Sequence, residues 1–384
     1  ITLADGTFTT AELFAAVKVF NGTTFIGGYS TISAAIGAGT TLDGYRIEVA
    51  AGTYNESLTI NKGVTIEGAN AGIDGNGVRG AETIITGVTL INASASVGID
   101  GVEFRYAGAA NTAGQFVTVQ GAGSHDIDNS RFHSTVANGN GSPGRALMID
   151  SSFTGTLNVA DNYFGGDQQG AGNMFGTANW RSAIYSDGNA ADLNITGNTF
   201  DNVRTALNLD GIDASTTVDG NTIQDSGSGI SIGIPDTGSL AGITNNSFTA
   251  VGTDFNLQNV STQNMTLDLG GQGNTAPDGF LVLGGQLADN LTGSSGVDIL
   301  QGNNGADTLT GGDGNDVLVG SAGNDVYYAD DSDDDTLYGG SSTLDSGTAD
   351  TAHYSAGAVV AYVGMDPAGL HYTVTQGGEV DHLY

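Results

Sequence analysis

Residues 284–328 read GGQLADNLT, GSSGVDILQ, GNNGADTLT, GGDGNDVLV and GSAGNDVYY, which are five successive segments of nine residues. Each segment has an aspartate at its sixth position and an apolar residue at its eighth. Glycine reaches positive φ at little steric cost, so the glycine-rich start of each segment predicts a tight turn. The residues that follow the aspartate predict a short strand that buries one apolar side chain. The stretch therefore repeats one turn and one strand.

Stacking of these turns predicts a metal site. If two segments form one coil, alternate aspartates stack on each side of the coil about 4.8 Å apart, which is the spacing of neighbouring strands. Carboxylate and turn carbonyl oxygens at that spacing suit Ca²⁺, which prefers hard oxygen ligands. We expect several calcium ions, and the predicted ligands are Asp289, Asp298, Asp307, Asp316 and Asp325. The alternative for the same residues is an acidic, glycine-rich flexible tail.

The charge of the chain supports a bound cation and excludes several classes of protein. The 384 residues include 42 acidic and 9 basic ones, which gives a formal net charge of −33. No Lys or Arg follows Arg204, whereas 24 Asp and Glu do, so this part of the chain would repel itself without a cation. So few basic residues argue against a nucleic-acid partner. No apolar run is long enough to span a membrane, and without cysteine no disulfide forms.

The nonapeptides resemble the RTX (haemolysin-type) calcium-binding β-roll, whose repeat is G-G-x-G-x-D-x-U-x. The first segment departs from that pattern, with Leu287 and Ala288 near the expected glycine. The resemblance implies Ca²⁺ held by aspartate carboxylates and turn carbonyls. It also implies export by a type I secretion system to the extracellular space or the cell surface. Residues 1–5 do not read as a signal peptide, which agrees with a different export route.

A longer repeat lies upstream of residue 284. An asparagine followed closely by an aromatic or aliphatic residue recurs at Asn129, Asn162, Asn198, Asn221 and Asn246. The short alternating strands that accompany this pattern are 117–120, 147–150, 184–187, 207–210, 230–233 and 255–258. Short strands separated by Gly, Asn and Asp turns at coil-length spacing predict a parallel β-helix. Turn asparagines tolerate left-handed backbone and can stack their amides from coil to coil.

The N-terminal segment predicts a cap for this β-helix. Thr9-Thr10-Ala11-Glu12 reads as a capping box, and we expect an amphipathic helix over 9–20. Such a helix would cover the open edge at the end of the stack.

Residues 45–60 and 64–68 resemble the first coils of the pectate-lyase-like right-handed β-helix superfamily, and the resemblance extends over about 45–260. The expected fold class is all-β: a right-handed parallel β-helix with an N-terminal capping helix, followed by a calcium-binding RTX β-roll. The expected domains are 1–44 as the cap, 45–275 as the β-helix, 284–340 as the roll and 341–384 as a strand-rich tail. No obvious end is seen at Tyr384, which leaves open a longer chain.

One face of the predicted β-helix collects charged residues. Aligning the strands on their apolar pairs places Asp150, Asp187 and Asp210 in line on three successive coils. An arginine comes just before each of these strands, and the three are Arg145, Arg181 and Arg204. Tyr185 occupies an outward position on the same face. Two long insertions, the second containing Trp180, come before the first two strands and predict the walls of a cleft.

This face suits an acidic polysaccharide or a cell-surface glycan, because a guanidinium binds a uronate carboxylate in bidentate geometry. Stacked carboxylates should raise the pKa of one aspartate, as a general acid requires, unless Ca²⁺ lies between them. The residues expected to be catalytic are Tyr185, Asp187, Asp150, Asp210 and Arg181. The residues expected to bind substrate are Arg145, Arg204 and Trp180. Tyr185 would donate or accept the proton, and Arg181 would bind the carboxylate.

The layout of a β-helix followed by an RTX roll is similar to that of secreted alginate C5-epimerases and related lyases, which implies a polysaccharide lyase or epimerase activity. Two alternatives remain for the face itself: it binds a polymer without turnover, or its Arg–Asp pairs only staple neighbouring coils. A third alternative concerns the whole protein, which would be a non-catalytic S-layer, adhesin or filament component that calcium stiffens and that self-assembles.

Overall fold

The computed structural model describes residues 2–3, 8–107, 115–135, 144–166, 180–188, 191–233, 235, 237–258, 260, 262–328, 333–339, 351–353, 359–366, 369–376 and 379–383, of which 2–3 and those from 359 onward are described by backbone alone. Two short helices, Thr10–Leu13 and Ile32–Gly37, are the helical elements of this part of the chain, and strands form the rest of its regular structure. The all-β class is therefore confirmed. None of the helices in the described ranges is long and apolar enough to cross a membrane.

The first helix is shorter than the sequence predicts. The capping box forms, because the Thr9 side chain accepts from Glu12 N while the Glu12 carboxylate accepts from Thr9 N. The helix nevertheless ends at Leu13, and Val17–Asn21 is a strand paired antiparallel with Arg46–Val49. The prediction of a helix through residue 20 was wrong, because β-branched and aromatic side chains in this segment favour a strand that buries them.

The chain divides into two compact units. Unit 1 comprises Ile1–Gly211 and Ser215–Gly227, and unit 2 comprises Ile212–Ala214 and Ser228–Tyr384.

Three sheets make up unit 1. Sheet A contains Thr2–Leu3, Val17–Asn21, Thr24–Tyr29, Arg46–Val49, Thr65–Glu67, Val97–Asp100, Ser124–Asp128, Thr156–Ala160, Asp192–Thr196 and Thr217–Asp219. Sheet B contains Gly52–Tyr54, Thr83–Ile85, Glu103–Tyr106, Arg131–Ser134, Tyr163–Gly166, Thr199–Asp201 and Thr222–Gln224. Sheet C contains Leu58–Ile60, Thr89–Ile91, Val117–Val119, Arg145–Ile149, Ser182–Ser186 and Thr205–Leu209.

Unit 1 is a parallel β-helix whose interior is filled by stacked side chains. The chain visits sheets A, B and C in turn, and equivalent strands of successive coils pair in parallel. Phe132 stacks on Phe164 at 4.4 Å between ring centroids, and Phe164 stacks on Phe200 at 5.0 Å. Parallel pairing in register therefore places phenylalanines of successive coils directly above one another, and these stacked rings are buried in the core of the β-helix.

A ladder of buried asparagines joins the coils at the turn between sheets A and B. Asn162 Nδ2 donates to Asn198 Oδ1 at 3.0 Å, and Asn198 Nδ2 donates to Asn221 Oδ1 at 3.0 Å. The predicted amide stacking is confirmed. The left-handed residue is the one before each ladder asparagine, as at Asp161 with φ 55° and Gly197 with φ 64°.

Unit 2 contains a long sheet and a short sheet. Sheet D contains Ser228–Ile232, Phe255–Asn256, Leu281–Leu283, Ile299–Asn304, Val317–Ala322, Thr336–Tyr338, Val359–Asp366, Gly369–Gln376 and Glu379–Leu383. Sheet E contains Thr266–Asp268, Asn290–Thr292, Thr308–Thr310, Val326–Tyr328 and Thr351–His353. Two further short strands of this unit are Ile243–Thr244 and Ser247–Thr249.

The nonapeptides form coils of two segments, as the sequence predicts. On sheet E, Leu291 pairs with Leu309 and Leu309 with Tyr327, and each step is 18 residues. On sheet D, Leu300 pairs with Leu318 at the same step. These five apolar side chains are fully buried between the two sheets. One apolar residue per segment therefore builds the narrow core of the roll.

Candidate calcium centre and polar face

Each repeat aspartate lies buried at the start of its strand and binds the backbone of the preceding coil. Asp307 Oδ1, for example, accepts from Asp289 N at 2.8 Å. The donor–acceptor pairs that share this geometry are Met265–Asp289, Phe280–Asp298, Asp289–Asp307, Asp298–Asp316, Asp307–Asp325 and Asp316–Asp335. The predicted stacking of alternate aspartates, one column on each side of the coil, is therefore present.

Asp335 is a further member of this series, at the end of the acidic stretch 330–335, which by sequence predicts either another calcium turn or a solvated loop. It is fully buried, and its Oδ1 accepts from Asp316 N at 2.9 Å. One extra residue separates it from Asp325, so the nine-residue count passes over it. The apolar Leu337, two residues after Asp335, is the signal that would have found it.

The buried carboxylates are costly without a cation. Burial raises the pKa of Asp289, and it raises the pKa of Asp307 to about 7, with further increases from the neighbouring charges of Asp325 and Asp289. Removing a carboxylate from water disfavours its ionised form, and like charges nearby add to the cost. A divalent cation between the turns would offset both effects.

The residues present fit calcium. Asp307 Oδ2 is buried and accepts no hydrogen bond. A Cβ at Gly302 would overlap this oxygen, and Gly311 and Gly320 stand in the same relation to the aspartates five residues after them. No three carboxylate or imidazole groups converge among the described residues, so an ion here would need backbone carbonyls as well. Asp307, Asp316 and Asp325, with the turn carbonyls, are the groups that would hold it.

Comparison with known families agrees with this geometry. Residues 283–318, 292–327 and 301–334 each match the family model of the RTX calcium-binding nonapeptide repeat. This stretch of unit 2 therefore consists of RTX calcium-binding repeats, which are typical of secreted proteins. No match is found among curated proteins or among solved structures.

The residues of the polar face (Asp150, Asp187, Asp210, Arg145, Arg181, Arg204 and Tyr185) belong to three neighbouring strands of sheet C, with the arginines at or just before the start of each strand, the aspartates just after its end and Tyr185 within the middle strand. Ile149 pairs with Ser186 and Ser186 with Leu209, so the three aspartates that follow these residues stand in the same register. Arg181 and Arg204 also share a register, whereas Arg145 is opposite Ser182 and is thus one position further along its strand. The structure therefore aligns the aspartates on three coils and two of the three arginines.

Tyr185 is the centre of the contacts within this face. The Arg145 guanidinium lies over the Tyr185 ring, with its Cζ 3.4 Å from the ring centroid. The Tyr185 hydroxyl donates to Asp187 Oδ1 at 3.3 Å. Partial burial raises the pKa of Tyr185, and Asp187 adds to the increase while the Arg145 charge opposes it. Tyr185 is therefore a protonated hydrogen-bond donor at neutral pH.

The arginines of the face do not staple the coils through ion pairs. Arg181 and Arg204 are exposed, and across the described part of the chain neither lies within ion-pair distance of a carboxylate. Arg145 engages the Tyr185 ring rather than an aspartate. The stapling alternative requires pairs that the described residues do not make, which leaves two guanidinium groups directed to solvent.

Two features of the face differ from expectation. Trp180 is fully buried, and its indole N–H donates to Phe132 O and Gly165 O, so its ring offers no surface to a sugar. The pKa of Asp150 lies below its usual value, because the side chain and the N–H of Ser152 donate to it. Stacking therefore does not make Asp150 a general acid. Of the insertions predicted at 136–145 and 165–181, residues 136–143 and 167–179 fall outside the described residues.

A second polar cluster, on sheet B, was not brought together by the sequence analysis. Glu103 is buried and binds Arg105 Nε at 2.5 Å, with His133 Nδ1 at 3.8 Å. The Tyr163 hydroxyl donates to the buried Asp201 at 3.0 Å. Arg105 reaches Glu103 along one strand, but His133 comes near Glu103, and Asp201 near Tyr163, only because sheet B aligns residues of successive coils, a register that single-sequence spacing did not reveal.

Proposed function

We propose that this is a secreted, calcium-dependent extracellular protein whose polar face in unit 1 recognises an acidic polysaccharide. The observation that carries the proposal is the pair Arg181 and Arg204, which are exposed, one coil apart and without an ion-pair partner among the described residues. Neighbouring parallel strands are about 4.8 Å apart. Two guanidinium groups in a chain of net charge −33 form a local site for successive carboxylates of a polymer.

The contacts around Tyr185 support modification of the bound polymer. Proton exchange at the carbon next to a uronate carboxylate needs a cation that neutralises the carboxylate and a group that gives or takes the proton. Arg181 supplies the first. We assign removal of that proton to the Asp187 carboxylate, which accepts from the Tyr185 hydroxyl, and delivery of a proton to the new centre or to the leaving oxygen to Tyr185, whose ring Arg145 covers. An epimerase or a lyase would both use this arrangement.

Secretion and the route of export rest on the RTX resemblance. A chain with so many carboxylates after Arg204 repels itself where calcium is scarce and folds where calcium is abundant. That property suits passage through a type I secretion system in an unfolded state, followed by folding outside the cell. The polysaccharide is then a component of the extracellular matrix or of a cell surface.

Binding of polyuronates to charge-matched variants tests the proposal. Arg181→Gln and Lys18→Gln each remove one positive charge, but Lys18 lies on sheet A, away from the polar face. We expect Arg181→Gln to weaken binding of alginate or pectate about 10- to 100-fold, the value of one charge-assisted hydrogen-bonded contact. Lys18→Gln should bind as the unchanged protein does, and uncharged dextran should bind to neither.

Turnover is measured separately by proton NMR of the same polymers with calcium. New uronate or unsaturated-end signals that Tyr185→Phe abolishes, with binding retained, would establish an epimerase or a lyase. Absence of binding to every polyuronate would contradict the proposal. Calcium-dependent sheets or fibres in electron micrographs would then favour a structural surface component.

A further inference from the structure

The two turns of the first roll coil differ from the later turns in backbone conformation. In turns 302–307, 311–316 and 320–325, the second and fourth residues have positive φ. The values, in chain order, are 74° at Asn303, 133° at Gly305, 106° at Gly312, 117° at Gly314, 80° at Ser321 and 144° at Gly323. In turns 284–289 and 293–298, none of the equivalent residues lies in this region. The glycines Gly285 and Gly296 could adopt positive φ there, and do not.

The aspartates of these first two turns have both carboxylate oxygens occupied by protein donors. Asp289 accepts from Met265 N at 2.7 Å through Oδ1 and from Gly285 N at 2.6 Å through Oδ2. Asp298 accepts from Phe280 N at 2.7 Å through Oδ1, and Ser294 donates to its Oδ2 through both N–H and hydroxyl. The contrast is Asp307, whose buried Oδ2 accepts no hydrogen bond.

A side-chain amide also occupies a carbonyl of the first turn. Asn303 Nδ2 donates to Gly284 O at 2.7 Å, and Asn304 Nδ2 donates to Gln286 Oε1 at 2.5 Å. A carbonyl that points at an N–H donor is directed away from the role of metal ligand. The side-chain amides of Asn303 and Asn304 therefore connect the first turn to the second coil. Between later turns, a bound cation would make this connection.

We propose that calcium binding in the roll begins at Asp307, and that Asp289 and Asp298 are protein-bound capping residues of a metal-independent first coil. This first coil gives the later turns a folded edge on which to assemble when calcium arrives. The chemical reason is that two N–H donors satisfy a buried carboxylate as a cation does, but without requiring calcium. The roll thus holds fewer ions than its number of repeats suggests.

The number of bound ions tests the assignment in the full chain. Calcium binding is measured by calorimetry on the unchanged protein and on the isosteric pair Asp289→Asn and Asp307→Asn. We expect Asp307→Asn to lose at least one ion per chain and Asp289→Asn to bind the full number. Loss of an ion in Asp289→Asn, with its hydrogen-exchange pattern in calcium unchanged, would overturn the proposal.

Hydrogen exchange of the unchanged protein gives a measurement that does not depend on a variant folding. In excess chelator, the amides of Met265 and Phe280, which donate to the first-coil aspartates, should remain protected. The amides of Asp307 and Asp316, which donate to later aspartates, should become protected only when calcium is added. Loss of protection in both groups together on calcium removal would show that the first coil needs the metal too, and would overturn the proposal.

Discussion

The Arg145 guanidinium covers the ring of Tyr185, with 3.4 Å between its Cζ and the ring centroid, in a chain that has only 9 basic residues. The two residues lie on neighbouring strands of sheet C, with Arg145 three residues before the position that faces Tyr185. Stacking on an aromatic face holds a guanidinium without a carboxylate partner. Arg145 therefore fixes the Tyr185 ring in the position from which its hydroxyl reaches Asp187.

Replacing Arg145 by methionine should release Tyr185 and lower the stability of the protein. The cation–π contact is partly exposed, so we expect a decrease of about 0.5–1 kcal/mol in the free energy of unfolding. The pKa of Tyr185 should also rise further, because the Arg145 charge now opposes its increase. Urea unfolding gives the first value, and ultraviolet titration of the tyrosines gives the second.

Arg204→Met is the matched control for this change. Arg204 is exposed and makes no ion pair with a described residue. The substitution Arg204→Met should change the free energy of unfolding by no more than about 0.5 kcal/mol, as for an ordinary surface substitution. It should also leave the titration of the tyrosines unchanged. Equal effects of the two substitutions would mean that the Arg145 contact contributes nothing specific.

The asparagine ladder should be far more sensitive than the surface amides that run beside it. Asn198 donates to Val159 O and to Asn221 Oδ1, and its own Oδ1 accepts from Asn162 N and Nδ2. Asn198→Leu leaves these buried partners without hydrogen bonds, at a cost of about 1–3 kcal/mol for each unsatisfied group. We expect a loss of roughly 3 kcal/mol or more in the free energy of unfolding, measured by urea denaturation.

The same substitution at Asn194 provides the comparison. Asn194 Nδ2 donates to Asn158 Oδ1 at 2.8 Å on the half-exposed outer face of sheet A, where water replaces a lost partner. Asn194→Leu should cost less than about 1 kcal/mol. An equal loss of unfolding free energy for Asn194→Leu and Asn198→Leu would show that burial of the ladder does not increase its contribution to stability.

The sequence predicted these architectures where one local pattern repeats, and failed where contacts cross between coils. The regular Asp and Leu positions of the nonapeptides predicted the roll, because each segment contains the sequence pattern of one turn and one strand. The prediction of a helix through residue 20 was wrong because apolar residues at Val17 and Phe20 are compatible both with an amphipathic helix and with a buried strand. Pairing of this segment with Arg46–Val49 makes it a strand. The sequence predicted Trp180 in the wall of a cleft, but its indole N–H donates to two backbone carbonyls of sheet B, which hold the side chain in the interior.

Site geometry was less predictable than the fold for the same reason. The alignment of Asp150, Asp187 and Asp210 followed from counting along the strands. The contact of Arg145 with Tyr185 depends on rotamers, which no spacing encodes. The cluster of Glu103 with His133 depends on the register of sheet B. Positive φ in the roll turns, which separates the first coil from the later ones, is not specified by glycine alone, since Asn303 adopts it and Gly285 does not.

Asp254 gives unit 2 a pH dependence that can be measured at constant calcium. Its side chain is buried, its Oδ2 accepts from Leu281 N at 2.8 Å, and burial raises its pKa to about 7. The folded protein therefore keeps Asp254 protonated up to a higher pH than the unfolded chain does, because aspartates in an unfolded chain have a pKa near 3.9. Ionised Asp254 destabilises the fold at pH values above 7, and this penalty disappears as pH falls from about 7 towards 4, where both states are protonated.

Asp254→Asn should remove this dependence, because the amide oxygen can still accept from Leu281 N and carries no charge at any pH. The difference in unfolding free energy between Asp254→Asn and the unchanged protein should rise by roughly 2–4 kcal/mol in favour of the variant between pH 4.5 and pH 8. Urea unfolding across that range in saturating calcium gives the difference directly. Asp268→Asn, an exposed aspartate of sheet E, serves as the control and should show no such rise. A constant difference for Asp254→Asn would mean that water reaches the carboxylate in the folded protein and that burial does not govern its ionisation.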